Sequence, residues 1–273
     1  MIQFPGFAKI LIIALVLTKV SVSAQLPVGY VETSPSVRSE NLVRKFLTPT
    51  RIVWTSDSSG KSILNQEVLL KPGTGQTVLN KDKDFILKST AIVFPMIILD
   101  FGKEIQGGLE IVTSINNEIK MGKVRIRFGE SVSETMSNVG EKGATNDHAM
   151  RDFIVALPWL GRLEVGNSGF RFVSIQMIDP NVKLEIKEVN AIFTFRDIPY
   201  LGSFKCNDER LNKIWMTGAY TVHLNMQDYL WDGIKSDRLV WVGDLHPEVM
   251  AVNTVFGYNE VVPPRVRLCR LTI

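Results

Sequence analysis

The spacing of apolar residues changes near Leu201, and this change constrains the fold more than any other feature of the sequence. Between residues 46 and about 195, short β-branched and aromatic runs alternate with Gly, Pro and Asn turns, a pattern typical of β-strands. After Leu201, apolar residues recur at intervals of three and four, which indicates helices. The sequence therefore predicts a multidomain chain, first β and then α.

The β region contains eight strand-like runs, which favour a sandwich or a barrel. Glycines between two of the runs, at 102–108, predict a hairpin with special backbone angles. The glycine-containing, polar segment 131–148 is predicted to be a long loop. The strand-like runs are residues 51–54, 68–70, 92–94, 97–101, 109–115, 123–128, 170–178 and 184–195.

The first 24 residues resemble a secretory signal peptide. Lys9 precedes the apolar run 10–17, and small residues lead up to Ala24, as in a cleavable export signal. The alternative is a buried or membrane-anchoring first helix, although the run is short for a bilayer span. We expect an exported protein, periplasmic or extracellular, with no membrane span after cleavage. Residues 25–45 are predicted to be a polar lead-in segment.

The overall charge gives no reason to expect a nucleic-acid partner. The chain has 31 basic and 28 acidic residues, a formal net charge of +3, and no basic stripe interleaved with aromatics. Its two cysteines, Cys206 and Cys269, do not make a disulfide framework, and its three histidines are scattered. We expect no structural disulfide, no metal site and no cofactor.

Two helices are predicted after the β region. Asp208 can cap a helix that runs to about Met226, because apolar residues then form one stripe and the first turn is acidic. Pro247 is predicted to occupy the first position of a second helix, which continues through Val255 to Gly257.

The segment 232–244 lies between these helices and concentrates polar chemistry. Glycoside hydrolysis needs two carboxyl groups, tryptophans can stack on a sugar face, and the basic residues can bind hydroxyls or hold neighbouring acids ionised. The alternative is a polar connection with weak surface ion pairs. The residues concerned are Asp232, Lys235, Asp237, Arg238, Trp241 and Asp244.

The segment Asp232-Gly-Ile-Lys-Ser-Asp-Arg-Leu-Val-Trp-Val-Gly-Asp244 resembles the signature loop of bacterial α-L-rhamnosidases, glycoside hydrolase family 78. Its acids, arginine, tryptophan and second glycine all match the signature. Further resemblances to the family bring the coverage to about residues 46–262. These lie at Leu99-Asp-Phe-Gly102 with Gly107-Gly108, Arg127-Phe-Gly-Glu130, Thr145-Asn-Asp-His148, Gly169-Phe-Arg-Phe172 and 202–225.

The resemblance implies an accessory β-sandwich over 46–197 and the start of an (α/α)6 barrel over 198–262. It implies inverting removal of terminal α-L-rhamnose from a rhamnose-containing glycan or glycoside. Asp237 lies where the family has its general acid, and the substrate-binding positions are those of Asp232, Arg238, Trp241 and Asp244.

Two residues depart from the family pattern. Asp237 replaces the usual glutamate, which shortens the acid by one methylene and can move the proton donor by about an ångström, a displacement worth roughly a hundredfold in rate. Ser236 replaces the arginine common at the preceding position.

The length of the helical part is a further departure. A twelve-helix barrel needs roughly 200 residues, whereas 73 follow Tyr200. The family's catalytic base comes from a later part of the barrel, and residues 263–273 are interpreted as a divergent basic tail. We therefore expect a chain truncated within the barrel, with uncovered apolar helix faces and no activity of its own. The alternatives are a carbohydrate-binding or interaction module and a non-functional gene remnant.

Overall fold

The computed structural model describes residues 42–77, 83–115, 122–141, 144, 150–235 and 238–262. The predicted signal peptide, nearly all of the predicted lead-in segment and the tail at 263–273 lie outside these ranges. So do the motif Thr145-Asn-Asp-His148 and the residues Ser236, Asp237 and Cys269 of the sequence analysis.

The described residues contain nine strands, all joined in a single antiparallel sheet. Its order is β3-β4-β9-β5-β8-β6-β7, with β1 paired to β9 and β2 paired to β5. This confirms the predicted β-then-α order. The strands are β1 (Leu42–Leu47), β2 (Arg51–Thr55), β3 (Ile63–Leu64), β4 (Phe85–Lys88), β5 (Met96–Thr113), β6 (Lys123–Gly129), β7 (Asp152–Ala156), β8 (Gly161–Met177) and β9 (Lys183–Arg196).

The long strand β5 replaces two predicted strands and the predicted hairpin between them. Its pairing with β8 shifts register twice, and Gly102 (φ 88°) and Gly107 (φ 148°) lie at these irregularities. A Cβ at Gly107 would lie 1.7 Å from the carbonyl oxygen of Ile192 on β9. The glycines therefore let one strand bend and change partners, where their spacing had indicated a chain reversal.

Other predictions for the β region were wrong in detail. Strand β1 begins at Leu42, inside the predicted lead-in segment. Residues 68–70 lie in the 3-10 helix Gln66–Leu70, and residues 92–94 form no strand. In the latter case the Thr90 hydroxyl accepts a hydrogen bond from the N–H of Val93 (3.0 Å), and this local turn competes with strand pairing.

The predicted loop 131–148 contains a short helix, α1 (Val132–Met136). The Ser131 hydroxyl caps it by accepting a hydrogen bond from the N–H of Glu134 (3.2 Å). The Glu134 carboxylate in turn accepts from the N–H of Glu130 (2.9 Å). This capping turn was missed because it is short and lies among polar residues that also favour loops.

The first long helix, α2 (Glu209–Asn225), agrees closely with the prediction. Asp208 caps it, since its carboxylate accepts hydrogen bonds from the N–H groups of Arg210 (2.8 Å) and Leu211 (3.4 Å). The second, α3 (Val242–Phe256), begins earlier than predicted, and Pro247 lies inside it. Proline has a helical φ, but at this interior position it removes the hydrogen bond to the carbonyl of Gly243 and its ring crowds that carbonyl, so the helix extends upstream of the ring at a cost in stability.

Two apolar clusters stabilise the described part of the chain. The larger is formed mainly by buried side chains of the strands and also includes Leu224 of α2 and Ile234 of the following loop. The smaller joins α2 to α3 through side chains such as Ala219, Val252 and Phe256. All described residues belong to one compact unit, residues 38–273. In the ranges described, no helix is long and apolar enough to cross a membrane.

The sheet and α2 are also joined by buried polar contacts. The guanidinium of Arg196, at the end of β9, donates to the carbonyl oxygen of Gln227 (2.7 and 3.2 Å) and is 1% exposed. The His223 ring donates through Nε2 to the Arg196 carbonyl oxygen (2.6 Å). Burial lowers the pKa of His223, which favours the neutral ring and so agrees with Nδ1 accepting from the hydroxyl of Tyr200 (3.2 Å).

Candidate functional site

The loop that carries the candidate site residues, called here the 232–239 loop, is closed at its base. The N–H of Asp232 donates to the Leu239 carbonyl oxygen (2.9 Å), and the N–H of Leu239 donates to Oδ1 of Asp232 (2.8 Å). The N–H of Trp231 donates to the carbonyl oxygen of Asn225, the last residue of α2 (3.0 Å). Asp232 therefore has a structural role in closing the loop.

Two contacts attach this loop to strand β8. Ile234 is buried against Gly169, where an added Cβ would lie 2.6 Å from Cγ1 of Ile234. Nη1 of Arg238 donates to the carbonyl oxygen of Asn167 (2.5 Å), and its guanidinium lies 5.8 Å from the centroid of the Trp231 ring. Strand β8 of the sheet therefore supports the loop from one side.

A third attachment is electrostatic. Nζ of Lys235 lies 2.5 Å from Oε1 of Glu134 and 3.1 Å from Oε2 of Glu130. The Lys235 side chain is only 13% exposed. Lys235 does pair with acids, as the sequence suggested, but one of these acids directly follows β6 and the other lies in α1.

A further carboxyl group, that of Glu104 on β5, belongs to the same cluster. Burial raises the pKa of Glu104 to about 7, and the hydrogen bond and negative charge of Glu130 act in the same direction, while Lys235 opposes them. Near neutral pH the Glu104 carboxyl group is therefore partly protonated. The Tyr220 hydroxyl donates to the Glu104 carbonyl oxygen (2.6 Å), which links this cluster to α2.

The predicted site residues fall into three groups. Asp232 and Arg238 lie in the closed loop, whereas Trp241 and Asp244 lie at the start of α3. Asp237, the predicted general acid, lies outside the described residues.

Trp241 and Asp244 have different surroundings at the start of α3. Trp241 is the residue before the first helical position and is 57% exposed. Gly243 leaves room for its ring, because a Cβ there would lie 2.7 Å from the indole Nε1. Asp244 lies in the first turn, where a carboxylate favours the positive end of the helix dipole. This region thus presents an aromatic surface close in sequence to an acid.

Sequence reasoning missed the acids beneath the loop. Glu104, Glu130 and Glu134 are separated from Lys235 by about 100 positions or more, so no local pattern connects them. One signal was available: the quoted motifs 127–130 and 169–172 contribute Glu130 and Gly169, both of which contact the loop. Within the ranges that the structure describes, no three His, Cys, Asp or Glu side chains are arranged to hold a metal ion.

These features define a class of protein in which an antiparallel sheet supports an acidic segment, here residues 232–244 with Trp241, at the entry to a helical region. Residues 199–270 match the family model described as the bacterial alpha-L-rhamnosidase 6 hairpin glycosidase domain. The resemblance to bacterial α-L-rhamnosidases is therefore confirmed, and this segment is rhamnosidase-like. The match includes the whole 232–244 segment and continues past Val262, into the predicted tail.

Two solved structures share the fold. A rhamnosidase from Klebsiella oxytoca with rhamnose bound is 16% identical, with a TM-score of 0.60 over 83% of this chain and 44% of that one. A glycoside hydrolase family 78 rhamnosidase from Bacillus sp. GL1 is 21% identical, with a TM-score of 0.54 over 70% of this chain and 19% of that one. The chain thus spans less than half the length of either. No curated protein sequence matches it.

Proposed function

We propose that this chain is part of an α-L-rhamnosidase-type glycoside hydrolase that removes terminal α-L-rhamnose with inversion. The observation that carries the proposal is the position of the acidic 232–244 segment within the rhamnosidase-like match at 199–270. Inverting hydrolysis requires a general acid and, about 6.5–9.5 Å away, a carboxylate that activates water. The substrate would be a rhamnose-containing glycan or glycoside.

The residue roles follow from the family signature and the local geometry. Asp237 is proposed as the general acid, and Asp232 and Asp244 as acceptors for sugar hydroxyl groups. The exposed indole of Trp241 offers a flat apolar face on which a sugar ring can stack. Arg238 is proposed to bind substrate while its Nη1 stays bonded to the Asn167 carbonyl.

The helices are proposed to belong to an (α/α)6 barrel, of which residues 198–262 supply the first part. The description of the matched family as a 6 hairpin glycosidase domain supports this assignment. Exposed apolar side chains on α2 and α3, including Leu211, Ile214 and Met250, also support it, since these are surfaces that further helices would cover.

We further propose that the 273-residue chain binds the sugar without hydrolysing it. The general acid is only one of the two groups that inversion needs, and none of the proposed site residues is assigned as the carboxylate that activates water. Export through a cleaved signal peptide at residues 1–24 is part of the same proposal. N-terminal sequencing of the protein recovered from the native host would detect cleavage after Ala24.

Two measurements test this function. Purified full-length chain is titrated with L-rhamnose by ligand-observed NMR, and an aryl α-L-rhamnoside is used to measure turnover. We expect binding that Asp232→Asn or Trp241→Ala weakens by about tenfold, with no turnover. Trp159→Ala is the matched control, because Trp159 is another exposed tryptophan (52%) and lies two residues before the start of β8.

The other outcomes are equally informative. Absence of rhamnose binding would overturn the proposed function. Binding that is lost in Trp159→Ala but unchanged in the loop variants would favour a binding module built on the sheet. Turnover by the wild-type chain would refute the proposed inactivity, and its loss in Asp237→Asn would then support the assignment of the acid.

A further inference from the structure

Among the described residues of the 232–239 loop, Ile234, Arg238 and Lys235 attach it to the β region in different ways. Ile234 and Arg238 attach the loop through packing and through a hydrogen bond to a backbone carbonyl. Lys235, by contrast, inserts a charge between Glu130 and Glu134. Its partners are side chains, so the strength of this contact depends on their ionisation.

The charges around Lys235 do not balance. Three carboxyl groups face the cations of Lys235 and Arg151, since the Arg151 guanidinium also approaches Glu134 (3.7 Å). Burial is the main cause of the raised pKa of Glu104, and the neighbouring carboxyl groups of Glu130 and Glu134 raise it further. The groups of this cluster are Glu104 from β5, Glu130 after β6, Glu134 from α1, Arg151 before β7 and Lys235 from the loop, with Lys103 and Tyr220 beside Glu104.

We propose that Lys235 is a positioning residue whose ion pairs with Glu130 and Glu134 fix the 232–239 loop on the sheet and thereby place Asp232 for sugar binding. The last step rests on the proposed function, whereas the loop attachment does not. Lys235 acts through the loop backbone and does not contact the sugar. One of the acids that hold it directly follows β6 and the other lies in α1, so the β region takes part directly in ordering the site.

Removing the Lys235 charge has two consequences. The loop loses its electrostatic attachment, so the two hydrogen bonds between Asp232 and Leu239 open more often. The acid cluster loses one of its cations, so Glu104 holds its proton to a still higher pH. A side chain that only filled space would affect the first property but would leave the second unchanged.

The first experiment uses amide hydrogen exchange of the full chain, comparing wild type with Lys235→Met and Lys235→Arg. We expect the amides of Asp232 and Leu239 to exchange about tenfold faster or more in Lys235→Met, and at close to the wild-type rate in Lys235→Arg. Lys83→Met is the matched control, because Lys83 forms an exposed ion pair with Glu67 elsewhere on the surface.

The second experiment follows the carboxyl carbon of Glu104 by NMR through a pH titration. The midpoint is expected to rise in Lys235→Met and to stay at the wild-type value in Lys235→Arg and Lys83→Met. If Lys235→Met fails to fold by circular dichroism, Lys235→Gln replaces it, since glutamine keeps hydrogen bonding and lacks the charge. Unchanged exchange at Asp232 and Leu239 together with an unchanged midpoint would overturn the proposal.

A rhamnose titration of the same variants separates this proposal from the proposed function. If wild type binds rhamnose, Lys235→Met should weaken binding by about tenfold and Lys235→Arg should restore it. If wild type does not bind, the proposed function fails, and the exchange and titration results still decide whether Lys235 fixes the loop. Faster exchange with unchanged rhamnose affinity would refute the link to Asp232.

Discussion

At the scale of single residues, two acids of strand β5 show how surroundings decide ionisation. Asp100 is buried, which disfavours its charge, but hydrogen bonds from Arg171, the Gly102 N–H and Arg51 outweigh this and lower its pKa to about 2. Glu104, on the same strand, is also buried, but it faces the Glu130 carboxyl group, which raises its pKa further. The difference comes from the sign of the neighbouring charges.

We predict that Asp100→Asn lowers the free energy of unfolding by about 2 kcal/mol at pH 7, the value that corresponds to the lowered pKa. Because the folded-state pKa lies below the unfolded value, this stabilisation is complete above about pH 5 and is lost as the pH falls towards 2. Urea denaturation at several pH values measures it. Glu164→Gln, which removes an exposed ion pair with Arg44, should change stability by less than about 1 kcal/mol.

For Glu104 the sign is reversed. Its folded-state pKa lies above the unfolded value, so its contribution to stability is present at acidic pH and is lost as the pH rises from about 4.5 through 7. We predict that Glu104→Gln, which is neutral at every pH, loses less stability than wild type between pH 5 and pH 8. The difference in this pH-dependent loss between wild type and Glu104→Gln is the contribution of Glu104. Other groups contribute equally to both proteins, including His223, whose lowered pKa makes stability rise with pH.

At the scale of elements, those whose stabilising groups are close in sequence could be predicted, and those that depend on distant residues could not. Helix α2 was predictable because its signals are local, with Asp208 as cap and a regular apolar spacing within one segment. Strand β5 was not, because its continuity through Gly107 depends on Ile192 of another strand. The start of α3 was misplaced because proline is compatible with a first turn but does not require one.

The same reasoning applies to the candidate site. The acids and tryptophan of the 232–244 segment were visible as a motif, since they are close in sequence. Their support was not visible, because Glu104, Glu130 and Gly169 approach the loop only after the sheet has formed. A sequence therefore shows which groups a loop carries more readily than it shows what holds the loop.

The contact between β8 and the loop supplies a prediction at this scale. A methyl group at Gly169 would lie 2.6 Å from Cγ1 of Ile234, so Gly169→Ala should displace the loop and destabilise the protein by about 1–3 kcal/mol. Ile234→Ala also destabilises, through lost packing. The double variant should be more stable than the sum of the two effects predicts, because the smaller side chain makes room for the methyl group.

A double-mutant cycle from urea denaturation measures this coupling. Gly140→Ala does not serve as the control, since Gly140 has a φ of 85°. Gly218→Ala does, because nothing lies within 4 Å of an added Cβ there and the site is within α2. It should be neutral or slightly stabilising. If the changes in the free energy of unfolding of the Gly169 and Ile234 variants are strictly additive, an added methyl group at Gly169 does not clash with the Ile234 side chain.

At the scale of the whole molecule, the sheet and the helices are held together by buried polar groups as well as by packing. The guanidinium of Arg196 bonds to the Gln227 carbonyl, and His223 bonds to the Arg196 carbonyl. A predicted domain boundary at 197/198 therefore falls directly beside the residue that joins the two parts. The boundary followed a real change in secondary structure, but contacts cross it.

We predict that sheet and helices unfold in one transition in wild type and lose this coupling in Arg196→Met. That variant leaves the Gln227 carbonyl without the guanidinium donor in a buried position, which should cost about 1–3 kcal/mol. Hydrogen exchange of β9 and α2 amides against urea concentration measures the coupling. Coincident transitions that persist in Arg196→Met would show that the Arg196 guanidinium is not needed to couple the two parts, and Arg44→Met, at an exposed ion pair, serves as the control.

The buried Arg196 also bears on how such a chain can be recombined. A gene fusion that placed this sheet before an unrelated helical domain would enclose a guanidinium for which the new partner has no acceptor, and burying a charge in this way is strongly unfavourable. Strands 42–196 and helix 209–225 are therefore expected to be inherited together. Protein engineers who wish to exchange the helical part must supply acceptors where the Gln227 backbone carbonyl and the Glu260 carboxylate lie, or replace Arg196 with a neutral side chain.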